Sequence, residues 1–528
     1  MSEQEIQELL NTVQELTASV KELTEENARL RKKLDHMNEL LLLAQQARFG
    51  QSSEKREYVL KGGEQMRLFN EAEQLQDPKA PEPTQETIVA AYTRKPKRPQ
   101  DELLKDLPVR KIVLELGEDQ RRCDTCGSEL TPIGEKFLRR ELNVIPRQVE
   151  VIEYYTRTYA CKTCEEKTGY ANFYTVETVP PLLKHSLASP SSVANVMTQK
   201  YVDGIPLARQ EKIWKREGVE LSRATLANWV IEVSKRWLRP LYRLMRKHLP
   251  GLDVIHADET VVQVLKEDGK PATSESRMWV YASGRYCTEP IRFFEYQPDR
   301  SGKHPAALLK DFSGCLVTDG YAGYARVSGA KRCGCWAHMR RKWREAMPKG
   351  ATPATSKAAV GYEYCSKLFA LERKFETFAP KTRQQARQAQ VEPLLDVYWA
   401  WVEKLDPAPG SKLEDAVAYA KNQKAFLNEF MCHGEVDISN NIAENAIRPF
   451  VVGRKNWLFC DTPKGAEASA VVYTLVETAK ANGLDPFRYL NYVLLNIRFL
   501  GQNPPNEQLE QFLPWNEAAR AACKPKLS

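Results

Sequence analysis

From Ile6 the chain repeats apolar residues at a seven-residue period. The first seam position is held by Ile6, Val13, Val20, Asn27, Leu34 and Leu41, the second by Leu9, Leu16, Leu23, Leu30 and Met37. A seam this narrow predicts a coiled coil rather than the broader apolar face of a globular helix. β-branched residues at early first positions, Leu at the second and a single Asn27 favour a parallel pair of helices. The competing reading is a helix folded back on its own chain. Periodicity then fades, and Pro, Glu and Gln accumulate between about Lys61 and Asp106, which predicts a linker. Within it, Arg94–Arg98 is a basic tract suited to a DNA backbone or simply to solvent.

Apolar alternation returns between Phe137 and Tyr159, through Val144, Ile145, Val149, Val151, Ile152 and Tyr154, and predicts a β-hairpin. The pattern turns helical from Ser189 to Pro250. There, Ile205–Val230 reads as a helix-turn-helix, with Gly218 at the turn and Ser222 capping the second helix. Arg223, Thr225 and Asn228 stand near the exposed start of that helix, where a recognition helix meets a major groove. Trp214, Trp229 and Trp237 are expected in the core.

The most informative pattern is Leu252–Leu265, an apolar strand interrupted by Asp258. Asp is depleted in strands and is rarely buried without a cation or a cationic partner. Two further strand-like runs follow, Arg277–Ala282 and Ile291–Tyr296, then a helix at about Lys303–Asp311. Gly314–Tyr324 is a short apolar run ending in Asp319 and a glycine turn. A later polar cap, Ser439–Asn441, opens a helix carrying Glu444. The 124 residues between Asp319 and Glu444 include a stretch, 355–430, rich in Ala, Lys, Glu, Leu and Gln at helical spacing, which predicts an all-helical insertion.

Composition changes this picture in two places. The net charge of +8 is moderate, but residues 207–249 hold 11 Lys or Arg against four Glu, which favours phosphate contacts. Four of the 12 Cys form two Cys-x-x-Cys pairs, Cys123/Cys126 and Cys161/Cys164, 34 residues apart. Four thiolates suit a tetrahedral structural Zn²⁺ better than duplicated redox motifs. The remaining Cys are scattered, no apolar signal core opens the chain, and no apolar run is long enough to span a bilayer. A soluble cytoplasmic protein with no membrane partner is expected.

Together these stretches resemble a known family, the large transposase of the sixty-six family of bacterial insertion sequences. The likeness rests on Phe49-Gly-x-x-Ser-Glu-Lys55, the paired Cys motifs, His256–Thr260, Val317–Tyr321, Gly334-Cys-Trp-Ala-His-x-Arg-Arg341, Asn440–Pro449, Gly453–Phe459 and Thr478–Pro486. It runs through nearly the whole chain in order. The resemblance implies an Asp-Asp-Glu transposase with Asp258, Asp319 and Glu444 as catalytic residues. They would hold two Mg²⁺ (or Mn²⁺) ions for cleavage at element ends and strand transfer into target DNA. Glu259 and Glu435 are rivals on type and proximity alone: Glu259 would point to the strand face opposite Asp258, and Glu435 follows a Gly in a loop without helical context.

The order of strands and helix matches a ribonuclease-H-like core. The expected fold class is multidomain α+β: coiled coil (1–46), linker (47–110), zinc-ribbon-like module (111–180), helical DNA-binding region (181–250), core (251–350), helical insertion (351–432), second part of the core with the Glu444 helix (433–500) and tail (501–528). Cys335 and His338 either bind a metal, with Cys333 as a further ligand, or support the core. Arg340, Arg341 and Lys342, with Arg344 and interleaved Trp343, suit a DNA strand, as do Arg448, Arg454 and Lys455. Arg448 could instead pair with Glu444 one helical turn away. The zipper over Ile6–Leu41 implies a homodimer or larger assembly, and the family implies small accessory proteins from the same element. The alternatives are a catalytically silent DNA-binding regulator and a non-transposing nuclease.

Overall fold

The computed structural model describes residues 3–49, 148–160, 173–175, 179–348, 350–501 and 504–525. The chain forms two units. The larger comprises Met1–Lys55 and Thr156–Lys524; the second comprises Arg56–Tyr155 and Pro525–Ser528. In the second, residues 148–155 are exposed and carry no regular secondary structure. The hairpin expected at Phe137–Tyr159 is therefore corrected over its described part. Only Thr158–Ala160 (β1), in the larger unit, forms a strand, and its antiparallel partner is Phe173–Thr175 (β2), beyond the second Cys pair. Cys123, Cys126, Cys161 and Cys164 lie outside the described residues.

The zipper sequence forms one 47-residue helix, Glu3–Phe49 (α1). Its described apolar seam residues, Val13, Leu16, Val20, Leu23, Leu30, Leu34 and Met37, are 52–66% exposed. Among the described residues nothing covers them, so these positions do not show the fold-back arrangement. Among the described residues no helix is long and apolar enough to cross a membrane.

Helices Pro190–Tyr201 (α2), Leu207–Arg216 (α3), Arg223–Val233 (α4) and Arg239–His248 (α5) form the basic region. Between α3 and α4, Gly218 takes φ +86°, a conformation that L side chains resist. Ser222 then caps α4 by accepting the Thr225 N–H at 3.1 Å. Trp214, Trp229 and Trp237 are buried.

Five strands form the central sheet: Val254–Gln263 (β3), Glu275–Ser283 (β4), Arg292–Gln297 (β5), Cys315–Val317 (β6) and Lys331–Cys333 (β7). Their order is β5-β4-β3-β6-β7. The first three form an antiparallel meander, while β6 and β7 run parallel to β3. The crossover from β5 to β6 carries a short helix, Lys303–Leu308 (α6), three residues shorter than expected.

β3 lies between two apolar cores. Ile255 and Ala257 join one, with the basic-region helices; Val254 joins the other, with the helical insertion. Strand alternation then assigns Asp258 and Glu259 to opposite faces.

Trp336–Ala346 (α7) leaves β7 and leads to the insertion: Lys357–Lys374 (α8), Pro380–Gln390 (α9), Glu392–Glu403 (α10) and Lys412–Asn428 (α11). The chain returns through Asn441–Trp457 (α12) and Pro463–Ala481 (α13). From Ala466 to Ala479 nearly every residue of α13 is buried. Two of its threonines serve the edge strand: Thr474 Oγ1 accepts the Phe294 N–H at 2.8 Å and Thr478 Oγ1 accepts the Arg292 N–H at 3.1 Å. This satisfies backbone groups of an edge that would otherwise be open to a foreign strand. Pro486–Ile497 (α14), Asn506–Leu509 (α15) and Glu517–Cys523 (α16) close the chain.

Candidate active site

The site forms where β3, the end of β6 and the start of α12 meet. The parallel register pairs His256 with Val317. Continued two residues further, it sets Asp319 beside Asp258. Asp258 Oδ1 accepts the Glu259 N–H at 2.9 Å. Burial pushes its carboxyl up to about 7; the charges of Glu259, Asp319 and Glu444 push the same way, against that one backbone hydrogen bond.

Asp319 sits in a tight turn. Its Oδ1 accepts the Tyr321 N–H at 2.8 Å, and Arg332 on β7 donates to the carbonyls of Asp319 and Tyr321 at 3.1 and 3.2 Å. A Cβ at Gly320 would come within 2.8 Å of the Tyr419 ring on α11, so a larger residue would force that ring to shift. The insertion thus presses directly on the Asp319 turn.

Glu444 lies in the first turn of α12. The helix is placed by Asn440, its N-cap residue. Asn440 spends its side chain on the strand rather than on capping: Nδ2 donates to the Ala257 carbonyl at 2.8 Å, next to Asp258. Its backbone N–H donates to Cys335 Sγ at 3.2 Å. Glu444 is 3.7 Å from His338 Nδ1 and 3.8 Å from the Arg341 guanidinium, and its Oε1 is buried without a hydrogen-bond partner. Its ion pair is therefore with Arg341 of α7, not the intrahelical one with Arg448.

The rival acids are occupied differently. Glu259, with its side chain 3% exposed, accepts the Arg300 Nε–H and the Tyr324 hydroxyl, both at 2.7 Å. Glu435 faces His433 Nδ1 at 3.7 Å.

Cys335, His338 and Glu444 have ligand atoms within 4.8 Å of one another. Burial pushes the Cys335 thiol up to about 11, opposed by the Asn440 N–H. Burial also lowers the His338 pKa, opposed by Glu444. Cys333 belongs elsewhere: its thiol donates to the Lys331 carbonyl at 3.7 Å.

The expected DNA contacts divide. Arg223 and Asn228 are exposed and Thr225 is half-buried, and the last two line an open groove with Leu183, Lys184 and Arg236. Arg341, Arg448 and Lys455 are exposed and Lys342 half-buried. Arg340 lies over the Tyr362 ring and donates to its hydroxyl at 2.8 Å. Arg454 turns inward and donates to the Val261 carbonyl of β3. Trp343 is a correction: it is fully buried, donating to the Tyr398 hydroxyl at 3.1 Å, and offers no face to a base. Sequence reasoning missed Asn440 and Arg332 as positioning groups. The one local signal was an Asn at a helix cap.

Similarity to known proteins agrees with this layout. The family model described as "Transposase IS66 family" matches residues 185–468, which contain all three acids. Others match 120–165 ("zinc-finger binding domain of transposase IS66"), 474–515 ("IS66 C-terminal element") and 36–112 ("Transposase C of IS166 homeodomain"). All four Cys of the paired motifs fall within the zinc-finger match. The uncharacterized protein y4qI of Sinorhizobium fredii (strain NBRC 101917 / NGR234) is 30% identical over 420 residues, covering 76% of this chain and 75% of that protein. The uncharacterized protein y4hP of the same strain is 28% identical over 426 residues, covering 75% and 74%. No solved structure matches. The chain belongs to the IS66 family of transposases.

Proposed function

We propose that this transposase cuts DNA at the ends of its element and joins the freed 3′ ends to target DNA, using Asp258, Asp319 and Glu444 as an Asp-Asp-Glu triad. The observation that carries the reading is the unbalanced charge at the site. Asp258 is held near neutral by burial and by like charges, and Glu444 Oε1 is buried with no hydrogen bond. Such a group of oxygens fits divalent cations. Mg²⁺ or Mn²⁺ bound there supplies charge neutralisation and Lewis acidity for in-line displacement at phosphorus.

The chain's own residues do the rest. Asn440 and Arg332 fix the backbone beside Glu444 and Asp319, so the carboxylates are held before substrate arrives. Exposed Arg341, half-buried Lys342 and exposed Arg448 offer cations to phosphates near the acids. The sheet order supports a ribonuclease-H-like core: an antiparallel meander followed by two strands parallel to its first. The groove beside Thr225 and Asn228 supports end recognition by α4. The uncovered seam of α1 supports pairing of two copies, which would bring two element ends together. Zinc on Cys123, Cys126, Cys161 and Cys164 would shape a separate binding surface, and element-encoded accessory proteins would complete the assembly.

The test is cleavage of a labelled element-end duplex with Mg²⁺ or Mn²⁺ by wild type and Glu444→Gln. Nicking by wild type alone is expected. Equal nicking by both would move the third acid elsewhere. Cleavage without end-dependent strand-transfer products would indicate a plain nuclease. Tight binding without cleavage by wild type would indicate a silent regulator.

A further inference from the structure

A second group of donors lies outside the acid cluster. Cys315 opens β6 and is 3% exposed; Cys333 is buried at the end of the neighbouring β7, where its thiol donates to the Lys331 carbonyl at 3.7 Å. The segment after α11 brings His433 and Glu435 against Cys315. The ligand atoms of Cys315, His433 and Glu435 lie within 4.8 Å of one another.

The histidine is set as a ligand would be. Its Nε2 faces Glu429 Oε1 at 3.3 Å, while Nδ1 faces the Glu435 carboxylate at 3.7 Å. A carboxylate on one ring nitrogen fixes the ring and leaves the other nitrogen to a metal. The backbone is also held in advance. Arg387, fully buried, donates at 2.8 Å to the carbonyls of Phe430, His433 and Val436, and its Nε and Nη2 pair with Glu372 at 2.7 and 2.8 Å. Of the charged groups near the thiols, Lys331 and Arg387 are cationic and Glu429 and Glu435 anionic.

We propose that Cys315, His433 and Glu435 form a zinc site distinct from the paired-cysteine module. Thiolate, imidazole and carboxylate together select zinc over magnesium. The ion would staple β6, which runs into Asp319, to the segment that runs into Asn440 and Glu444. It would also give Glu435 a structural task in place of a catalytic one. The site is independent of whether the triad cuts DNA.

The experiment measures metal content and cobalt spectra on the full chain carrying Cys123→Ser and Cys126→Ser, which disable the paired-cysteine module. One zinc per chain is expected to remain, and cobalt exchange is expected to give a thiolate-to-cobalt charge-transfer band. Adding His433→Asn or Cys315→Ser should remove both the zinc and the band, while His338→Asn should leave them. Absence of zinc and band in the module-disabled chain would overturn the proposal. So would a band that survives His433→Asn but is lost with His338→Asn, since that would assign the metal to Cys335. Should the added variants fail to fold, the module-disabled chain carrying His338→Asn still decides: zinc and band retained there support the site, and their loss overturns it.

Discussion

Two charge clusters among the described residues, one buried in the insertion and one half-buried at the sheet, are built on opposite plans. At the base of the insertion, Glu372 and Asp437 meet Arg383 and Arg387. Arg383 reaches Glu372 at 2.8 Å and Asp437 at 3.2 Å, and Arg387 closes on Glu372 with two hydrogen bonds. Burial pushes the Glu372 carboxyl up, yet the bonds and charges of Arg387 and Arg383 outweigh it and hold its pKa below the usual range. At the sheet, Asp258, Asp319 and Glu444 stand together without such a partner. The nearest guanidinium to Glu444 is 3.8 Å away, and the Asp258 pKa rises to about 7. A charge cluster that closes on itself holds structure. One left open by the chain calls for cations from outside, which is where function is expected.

The largest effect expected from breaking this contrast is on chemistry. Asp258→Asn should lower end cleavage by roughly 10²–10³-fold, the usual worth of one group of a preorganised charged site. Gel assays under single-turnover conditions measure it, with circular dichroism unchanged. The closed cluster should respond in stability instead. Glu372→Ala leaves two buried guanidinium groups short of a partner and should cost about 3–5 kcal/mol, read by urea denaturation.

Smaller effects sharpen the comparison. A carboxyl whose folded pKa is raised binds its proton more tightly in the native state than in the unfolded chain. Its stabilising contribution is complete below about pH 4, the ordinary value, and is lost as pH rises through about 7. Metal-free protein should therefore lose stability across that window, and Asp258→Asn should remove the slope. Melting curves from pH 4 to 8 in chelator check this. Mg²⁺ at about 100 times its dissociation constant should restore about 2.7 kcal/mol to the wild type at pH 8 and much less to Asp258→Asn. Asn440→Ala should cost about 1–2 kcal/mol, the scale of one buried hydrogen bond and an orphaned carbonyl. It should also slow cleavage, because Glu444 loses its tether to β3. A stability loss with unchanged cleavage would remove Asn440 from the positioning role.

Much of this was legible along the chain, because the local pattern was anomalous where it mattered. An Asp in the middle of an apolar strand, or at the end of one before a glycine turn, contradicts burial rules and so announces itself. The run Arg277–Ala282 lies within β4, the run Ile291–Tyr296 starts one residue ahead of β5, and Gly218 and Ser222 mark the turn between α3 and α4. Local pattern failed where two readings share one composition. Trp343 among basic residues reads equally as a stacking platform or as core, and only the packing of Tyr398 decided. The alternation at 149–154 reads as strand, but alternation alone does not supply a pairing partner.

The sequence by itself determined the periodicities, the glycine turn, the caps and the placing of acids in apolar strands, all of which act over a few residues. Strand alternation already set Glu259 on the face opposite Asp258, and Glu435 lacked the helical context of Glu444. Only the tertiary structure supplied the partners of each acid, because those come from far along the chain. Arg300 and Tyr324 match Glu259 from 41 and 65 residues away, while Asn440 ties the Glu444 helix to Ala257 across 183. A carboxylate's role depends on the charges and donors within a few ångströms of it, and that neighbourhood exists only once the chain has folded.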